Sequence, residues 1–301
     1  MITRRRIVLA LGAGALTAPF ASFAQQQGKV WRIGFLAQRH VDFVDADYIY
    51  GPFTQGMREL GYVEGRNLVI EWRSAEGKSE RLPELAAELV RLKLDVLVAQ
   101  GTPAARAAQK ASTGLSLMSA ELGPKLMEML RGMVPKVTRV VVLVNPSNTL
   151  SAAALKNIQV AGQKVGIKIQ SVEASTPREI ESGFALMASH KTEALIVPQE
   201  SLFLQQRNQI AELAAKHRLP TIGAYGGYAG AGGLMSHGPD IRELIRRAAT
   251  YVDKILKGAN PGDLPVEQPT TFELFINLKT AKAVGIKVPQ SLLLQATKVI
   301  E

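Results

Sequence analysis

The sequence predicts an α/β protein of two lobes, each built from a parallel sheet flanked by helices. Short apolar runs typical of buried strands alternate with amphipathic helical segments along most of the 301 residues. This alternation breaks between residues 113 and 138 and then resumes, which divides the chain into two halves. In both halves the strands end in polar turns, and such strand ends face the clefts where α/β proteins bind small molecules.

A leader is expected before the fold, at residues 1–24. Three arginines, Arg4 to Arg6, precede an apolar run of about 15 residues, which is too short for a comfortable membrane span. Small residues around Ala24 indicate cleavage after that position. The general secretory and twin-arginine routes both remain open. Because the chain has no cysteine, it cannot carry a lipoprotein anchor, and we expect a free periplasmic protein.

The composition narrows the function class. The chain is 47% hydrophobic and 21% charged, which is typical of a globular protein. Its formal charge of +10 falls to +7 without the three leader arginines, and no basic run of five residues occurs. We therefore expect no nucleic-acid partner. The four histidines lack metal-ligand spacing, and neither a phosphate loop nor a nucleophile elbow is present, so we expect no metal, no cofactor and no catalytic residue.

The first half shows three strands and three helices in strict alternation. The first helix has Phe53, Met57 and Leu60 on one face and stops at Gly61, and the second has leucines at helical spacing. In chain order we predict a strand over 30–37, a helix over 53–62, a strand over 67–73, a helix over 79–93, a strand over 94–100 and a helix that reaches Lys110.

The turn at Gly101, Thr102 and Pro103 connects the third strand to the third helix. Thr102 is suited to cap the helix, and Pro103 to its first position, where a missing N–H costs nothing. The free N–H groups of that first turn favour an anion. An ordinary connection that binds nothing is the alternative.

Beyond Thr113 a fourth strand is due, and instead Gly114 to Met118 leads straight into a helix over 120–133. The second half then repeats the alternation, with Arg139 to Val144 the most strand-like run of the chain. We predict strands over 139–144, 168–173, 193–197, 219–223, 234–236 and 271–277, and helices that reach Lys164, start at Thr176, and cover 204–217, 240–257 and 278–284.

Several segments resemble the substrate-binding proteins of ABC transporters related to tryptophan and tyrosine uptake. The resemblance covers nearly all of the chain beyond the leader. Its motifs are 59–68 (ELGYVEGRNL), 81–86 (RLPELA), 95–104, 231–236 (AGGLMS), 247–258 (RAATYVDKILKG), 263–270 (DLPVEQPT) and the closing Phe272-Glu273-Leu274 with 277–282 (NLKTAK).

The resemblance implies a type I periplasmic binding-protein fold with a hinge. It implies an N-terminal lobe over 29–113, a crossover with the first helix of the second lobe over 114–138, a C-terminal lobe over 139–260, and a segment over 261–301 that returns across the hinge. Members of the family carry a fourth strand with an Asp-Pro turn after the third helix, and this chain departs from them there. We therefore expect a deletion after Thr113 and a first lobe short of one strand.

The resemblance also implies a ligand-binding cleft and a function. The Gly101–Thr102 turn would receive a carboxylate, and loops at the ends of the matching strands would complete the walls. From the residues alone, Glu200 is equally suited to grip an amine or to start a helix. The implied ligand-binding residues are Gln38, Gly101, Thr102, Asn145, Pro146, Ser147, Glu200 and Tyr225.

We expect a monomeric periplasmic receptor without catalysis. It would capture a small organic solute, such as an amino acid, by lobe closure and deliver it to an ABC permease in the inner membrane. A shortened, binding-defective descendant of the family is the main alternative, because the expected deletion removes one ligand-facing turn. An exported two-lobed enzyme such as a transferase is the third hypothesis, and it would need a base or nucleophile that the sequence does not show.

Overall fold

The computed structural model describes residues 29–38, 50–111, 122–148, 150–265 and 269–301, and the backbone of 115–116. The expected leader over residues 1–24 lies outside these ranges. Within them, no helix combines the length and the apolar character that a membrane span requires.

The first sheet has four parallel strands in the order β2-β1-β3-β4. The central strand β1 is buried from Ile33 to Ala37, since neighbours pair on both edges and helices cover both faces. The strands are β1 (Trp31–Ala37), β2 (Leu68–Ser74), β3 (Val96–Gln100) and β4 (Leu115–Ser116).

Helices from two distant parts of the chain cover this sheet. Helices α2 (Leu82–Arg91) and α3 (Thr102–Ala111) pack leucines and alanines against one face. On the other face lie α1 (Gly51–Glu59) and a much later helix, α10 (Ile241–Leu256). The expected C-terminal lobe over 139–260 is therefore too long, because Ile245, Ala248, Ala249, Val252 and Leu256 belong to the core of the first lobe.

The second sheet has seven strands in the order β11-β10-β9-β8-β7-β5-β6. Its pairs are parallel except β9 with β10, which run antiparallel. The prediction of a parallel sheet flanked by helices is confirmed; β10 is antiparallel to β9 because the chain leaves for the first lobe after β9 and re-enters the sheet from the opposite end. The strands are β5 (Arg139–Val144), β6 (Lys168–Glu173), β7 (Ala194–Val197), β8 (Thr221–Gly223), β9 (Met235–Pro239), β10 (Phe272–Asn277) and β11 (Lys298–Ile300).

Eight helices flank this second sheet in two layers. One layer consists of α4 (Gly123–Met133), α5 (Ser151–Lys164), α11 (Leu278–Val284) and α12 (Gln290–Leu293). The other consists of α6 (Pro177–Ser189), α7 (Ser201–Gln205), α8 (Arg207–Lys216) and α9 (Gly227–Gly230).

A short strand occupies the position where the sequence shows a break. Leu115 and Ser116 form β4 and pair in parallel with Val98 and Ala99 of β3. The expectation that no strand follows α3 is therefore wrong, although β4 is only two residues long. Within the described ranges the first sheet has four strands and the second has seven.

The chain passes from the first lobe to the second between β4 and α4, returns to the first between β9 and α10 at residues 239–241, and passes again to the second between α10 and β10. At the second and third passages the backbones are tied together, since Asp240 N–H donates to Thr271 O at 3.0 Å. Asp240 also caps α10, accepting from the N–H groups of Arg242 and Glu243. Beside it, burial and the charge of Asp240 raise the pKa of Glu273.

Candidate functional site

The cleft lies where the carboxyl ends of strands from both lobes meet. Gly101 follows β3 with a φ of +87°, a conformation that favours glycine. A Cβ atom at this position would lie 3.4 Å from Ser201 Oγ in the second lobe and 3.6 Å from Gln38 Oε1 in the first. Three strand ends, those of β1, β3 and β7, therefore converge at Gly101.

Gln38 directly follows β1 and is 5% exposed. Its amide nitrogen donates to Ser79 Oγ at 2.9 Å, which fixes the orientation of the side chain. Its Oε1 atom is buried and accepts no hydrogen bond from the described residues. This oxygen points toward the Gly101 turn and lacks a donor.

Glu200 follows β7 and is also 5% exposed. One carboxylate oxygen, Oε2, caps α7 by accepting from the N–H groups of Leu202 at 2.6 Å and Phe203 at 3.3 Å. The other, Oε1, is buried and has no partner in the described parts of the chain. Of the two roles open from the sequence, the helix-start role is confirmed, and it uses only half of the carboxylate.

The turn after β5 is held by its own side chains. Asn145 is buried, and its Oδ1 accepts from Ser147 N–H, from Ser147 Oγ at 2.6 Å and from Ser175 Oγ at 3.2 Å. Pro146 and Ser147 are exposed. Asn145 therefore holds the conformation of this loop, and Ser147 of the same loop lines a cavity together with residues of the first lobe.

Tyr225 lies in the core of the second lobe, with 2% of its surface exposed. Its hydroxyl donates to Phe203 O at 3.2 Å, and its ring packs edge-on against Tyr228. Tyr225 thus stabilises α7 from within the core, because its hydroxyl proton is donated to the backbone of that helix.

Thr102 is the first helical residue of α3 and not the residue before it, so the helix begins one residue earlier than expected. It lines a cavity of about 170 Å³ between the lobes, together with Ser147 of the second lobe. The other residues that line this cavity were not among the predicted ligand-binding residues; they are Ser79, Leu82, Pro83, Pro103, Arg106, Ala107, Lys110 and Asn148. The spacing of Thr102, Arg106 and Lys110 by four residues was the available signal for one shared helix face.

Comparison with known proteins identifies the family. The model of the family described as ABC transporter substrate binding protein matches residues 110–300, more than half of the chain. The chain belongs to this family. A tyrosine-binding protein of Clostridioides difficile is 23% identical over 262 residues, covering 78% of this chain and 76% of that protein.

Two solved structures share the fold of this substrate-binding protein. A conserved domain protein from Vibrio cholerae superposes with a TM-score of 0.84 at 23% identity, over 90% of this chain and 100% of that one. An ABC domain from Streptococcus pneumoniae in complex with L-Trp has a TM-score of 0.82 at 23% identity, over 90% and 99%. The fold is that of type I periplasmic binding proteins, as the resemblance implied, and members of the family are substrate-binding proteins rather than enzymes.

Each lobe of this substrate-binding protein contributes a buried acceptor that is unpaired among the described residues, Gln38 Oε1 beside the Gly101 turn and Glu200 Oε1 in the residue before Ser201. We call these two acceptors with Gly101 the floor of the cleft. Within the described residues, no group of three or more His, Asp or Glu side chains is placed to hold a metal ion. Near the passages between the lobes, burial lowers the pKa of His237 and raises the pKa of Glu273. The chemistry that the floor offers is therefore hydrogen bonding to a donor-rich molecule.

Proposed function

We propose that the protein captures a small polar solute between its lobes and that solute donors reach Gln38 Oε1 and Glu200 Oε1. The supporting observation is that Gln38 Oε1 lies beside the Gly101 turn, that Glu200 immediately precedes Ser201, whose hydroxyl lies beside the same turn, and that Gln38 Oε1 and Glu200 Oε1 are both buried without a partner in the described chain. An unsatisfied buried polar atom costs about 1–3 kcal/mol. A donor on the solute offsets this cost only when both lobes are in place around it, so binding favours closure.

An amino acid fits this floor chemically. Its ammonium group has three N–H donors, and a half-used buried carboxylate such as that of Glu200 is a strong acceptor for a cation. Relatives that bind tyrosine and L-Trp support the same choice. The Gly101–Thr102 turn remains the proposed place for the ligand's carboxylate, beside the ammonium site.

The proposed setting is the periplasm, reached through a cleavable leader over residues 1–24. Proteins of this family are generally extracytoplasmic. We propose that the mature chain is a monomer that delivers its solute to an ABC permease in the inner membrane, which is the partner that the family implies. The amino-terminal sequence of the exported protein and its mass in solution test these two points.

Calorimetric titration of the mature protein with the twenty amino acids and a set of small carboxylates tests the receptor function. We expect at least one solute to bind and to raise the melting temperature. Gln38→Leu should weaken that binding by roughly tenfold, since one charge-assisted hydrogen bond contributes about 1.5–3 kcal/mol. Gln209→Leu is the matched control, because Gln209 Oε1 is also buried without a described partner but lies on α8, outside the set of cleft residues.

A folded protein that no solute binds or stabilises would contradict the receptor proposal. That outcome would favour the binding-defective alternative, which the shorter first sheet supports. Equal effects of the two glutamine variants would show that Gln38 has no special role in the cleft.

A further inference from the structure

The outer corner of the cleft is a second candidate contact, separate from the acceptors at the floor. Arg106 and Lys110 are exposed residues of α3, one turn apart, and both line the cavity of about 170 Å³ between the lobes. Across that cavity lie Ser147 and Asn148, in the turn after β5 of the second lobe. We call Arg106, Lys110 and Asn148 the basic corner.

The basic corner carries positive charge without compensation. No Asp or Glu lines the cavity, and neither Arg106 nor Lys110 forms an ion pair within the described ranges. Like charges four residues apart on a helix repel each other and destabilise it. A bound anion between them would remove this repulsion.

Asn148 adds a donor from the opposite lobe. Its Oδ1 accepts a hydrogen bond from the N–H of Leu150 at 3.1 Å, which identifies this atom as the amide oxygen. The other end of the side chain is therefore the NH2 group, which is a donor. Guanidinium, ammonium and amide NH2 groups are all donors. The corner is thus rich in donors, the reverse of the acceptor-rich floor at Gln38 and Glu200.

We propose that the basic corner binds an oxyanion group, a carboxylate or a phosphate, at the outer end of the solute. This inference rests on the proposed receptor function for its biological meaning. Ordinary ligand pockets measure about 300–1,000 Å³, so the corner accommodates one group of the solute and not the whole molecule. Because the donors of the basic corner come from both lobes, a bound anion stabilises the closed arrangement of the lobes. The proposal restricts the solute to molecules that carry a negative charge away from the floor of the cleft.

Titrations with sodium phosphate and sodium succinate test the corner directly, with sodium chloride at equal ionic strength as the reference. We expect phosphate, succinate or both to raise the melting temperature above the chloride reference, and the larger response identifies the preferred oxyanion. The double variant Arg106→Gln/Lys110→Gln should lose this response and weaken oxyanion binding at least tenfold.

Arg91→Gln/Lys216→Gln is the matched control. It removes the same net charge from exposed ends of α2 and α8, outside the cavity, and should retain the response. If both double variants lose the response equally, the effect is general charge screening and the proposal is wrong. No response of the wild-type protein to either oxyanion would also overturn it.

A solute arm separates this proposal from the receptor function. Because the α-carboxylate is already assigned to the Gly101–Thr102 turn, L-glutamate is compared with L-glutamine, in which only the side-chain carboxylate is amidated, and any solute found in the panel that has a second anionic group is compared with the analogue amidated at that group. Solute binding that is unchanged by Arg106→Gln/Lys110→Gln and by amidation overturns the corner while the receptor function stands. Binding of phosphate that depends on Arg106 and Lys110, without binding of any amino acid or carboxylate, supports the corner and overturns the receptor function.

Discussion

Gly56 permits the close packing of α1 on α10, and its replacement by alanine should loosen the first lobe. A Cβ atom at Gly56 would lie 2.6 Å from Arg246 O and 2.8 Å from Ala249 Cβ, so the two helices must separate by several tenths of an ångström. Overpacking of this kind costs about 1–3 kcal/mol. Alanine recovers about 0.5–1 kcal/mol of helix propensity, which leaves a net loss of up to about 2.5 kcal/mol.

Gly132→Ala in α4 is the matched variant, because a Cβ there meets only Leu292 at an ordinary distance of 3.6 Å. It should stabilise the protein by about 0.5–1 kcal/mol. Measured by calorimetry, Gly56→Ala should melt below wild type and Gly132→Ala above it. Each kcal/mol of free energy of unfolding should shift the melting temperature by about 2–4 °C in a chain of this size class. A Gly56→Ala protein that melts at or above Gly132→Ala would refute the packing argument.

Three further outcomes concern hydrogen-bonded or partly buried polar groups. Tyr62→Phe removes the 2.9 Å hydrogen bond to Asp253 and should lower the free energy of unfolding by about 1–2 kcal/mol. Burial raises the Tyr62 pKa to about 12, so wild-type stability should fall as the pH rises from 10 to 12, and less so in Tyr62→Phe. Burial also raises the pKa of Glu273, so its unfavourable ionisation lowers stability as the pH rises through the folded pKa; Glu273→Gln should melt higher at pH 7 and match wild type near pH 3. Glu193 accepts from the N–H groups of Thr138 and Arg139, chiefly Thr138, which lowers its pKa; Glu193→Ala should lose about 1–2 kcal/mol at pH 7, with the difference vanishing as the pH falls well below 4.5. Urea midpoints across pH check all three.

The alternation of strands and helices could be predicted from local pattern alone. The stretch from Leu94 to Lys110 is confirmed as β3 and α3, since a buried strand and an amphipathic helix each follow from residue periodicity. The predicted helix over 278–284 has the bounds of α11, where Asn277 caps the start and Gly285 ends it in a left-handed conformation. Signals of this kind lie within a few neighbouring residues.

The features that sequence reasoning missed depend on distant partners. The strand β4 is two residues long and exists only through its pairing with β3. The membership of α10 in the first lobe requires knowledge of which sheet its apolar face meets, and periodicity does not carry that information. The unpaired Glu200 Oε1 could not be foreseen either, because burial and capping together decide which carboxylate oxygen remains free.

The placement of α10 also sets the order of events during synthesis. The first lobe's strands β1 to β3 are made before residue 101, but their face against α1 stays uncovered until residues 241–256 are available. The second lobe's β5 to β9 are contiguous between residues 139 and 239 and form local contacts first. The apolar face of the first sheet that α10 covers therefore stays exposed until residue 256 has been synthesised, and a chaperone can bind this face during that interval.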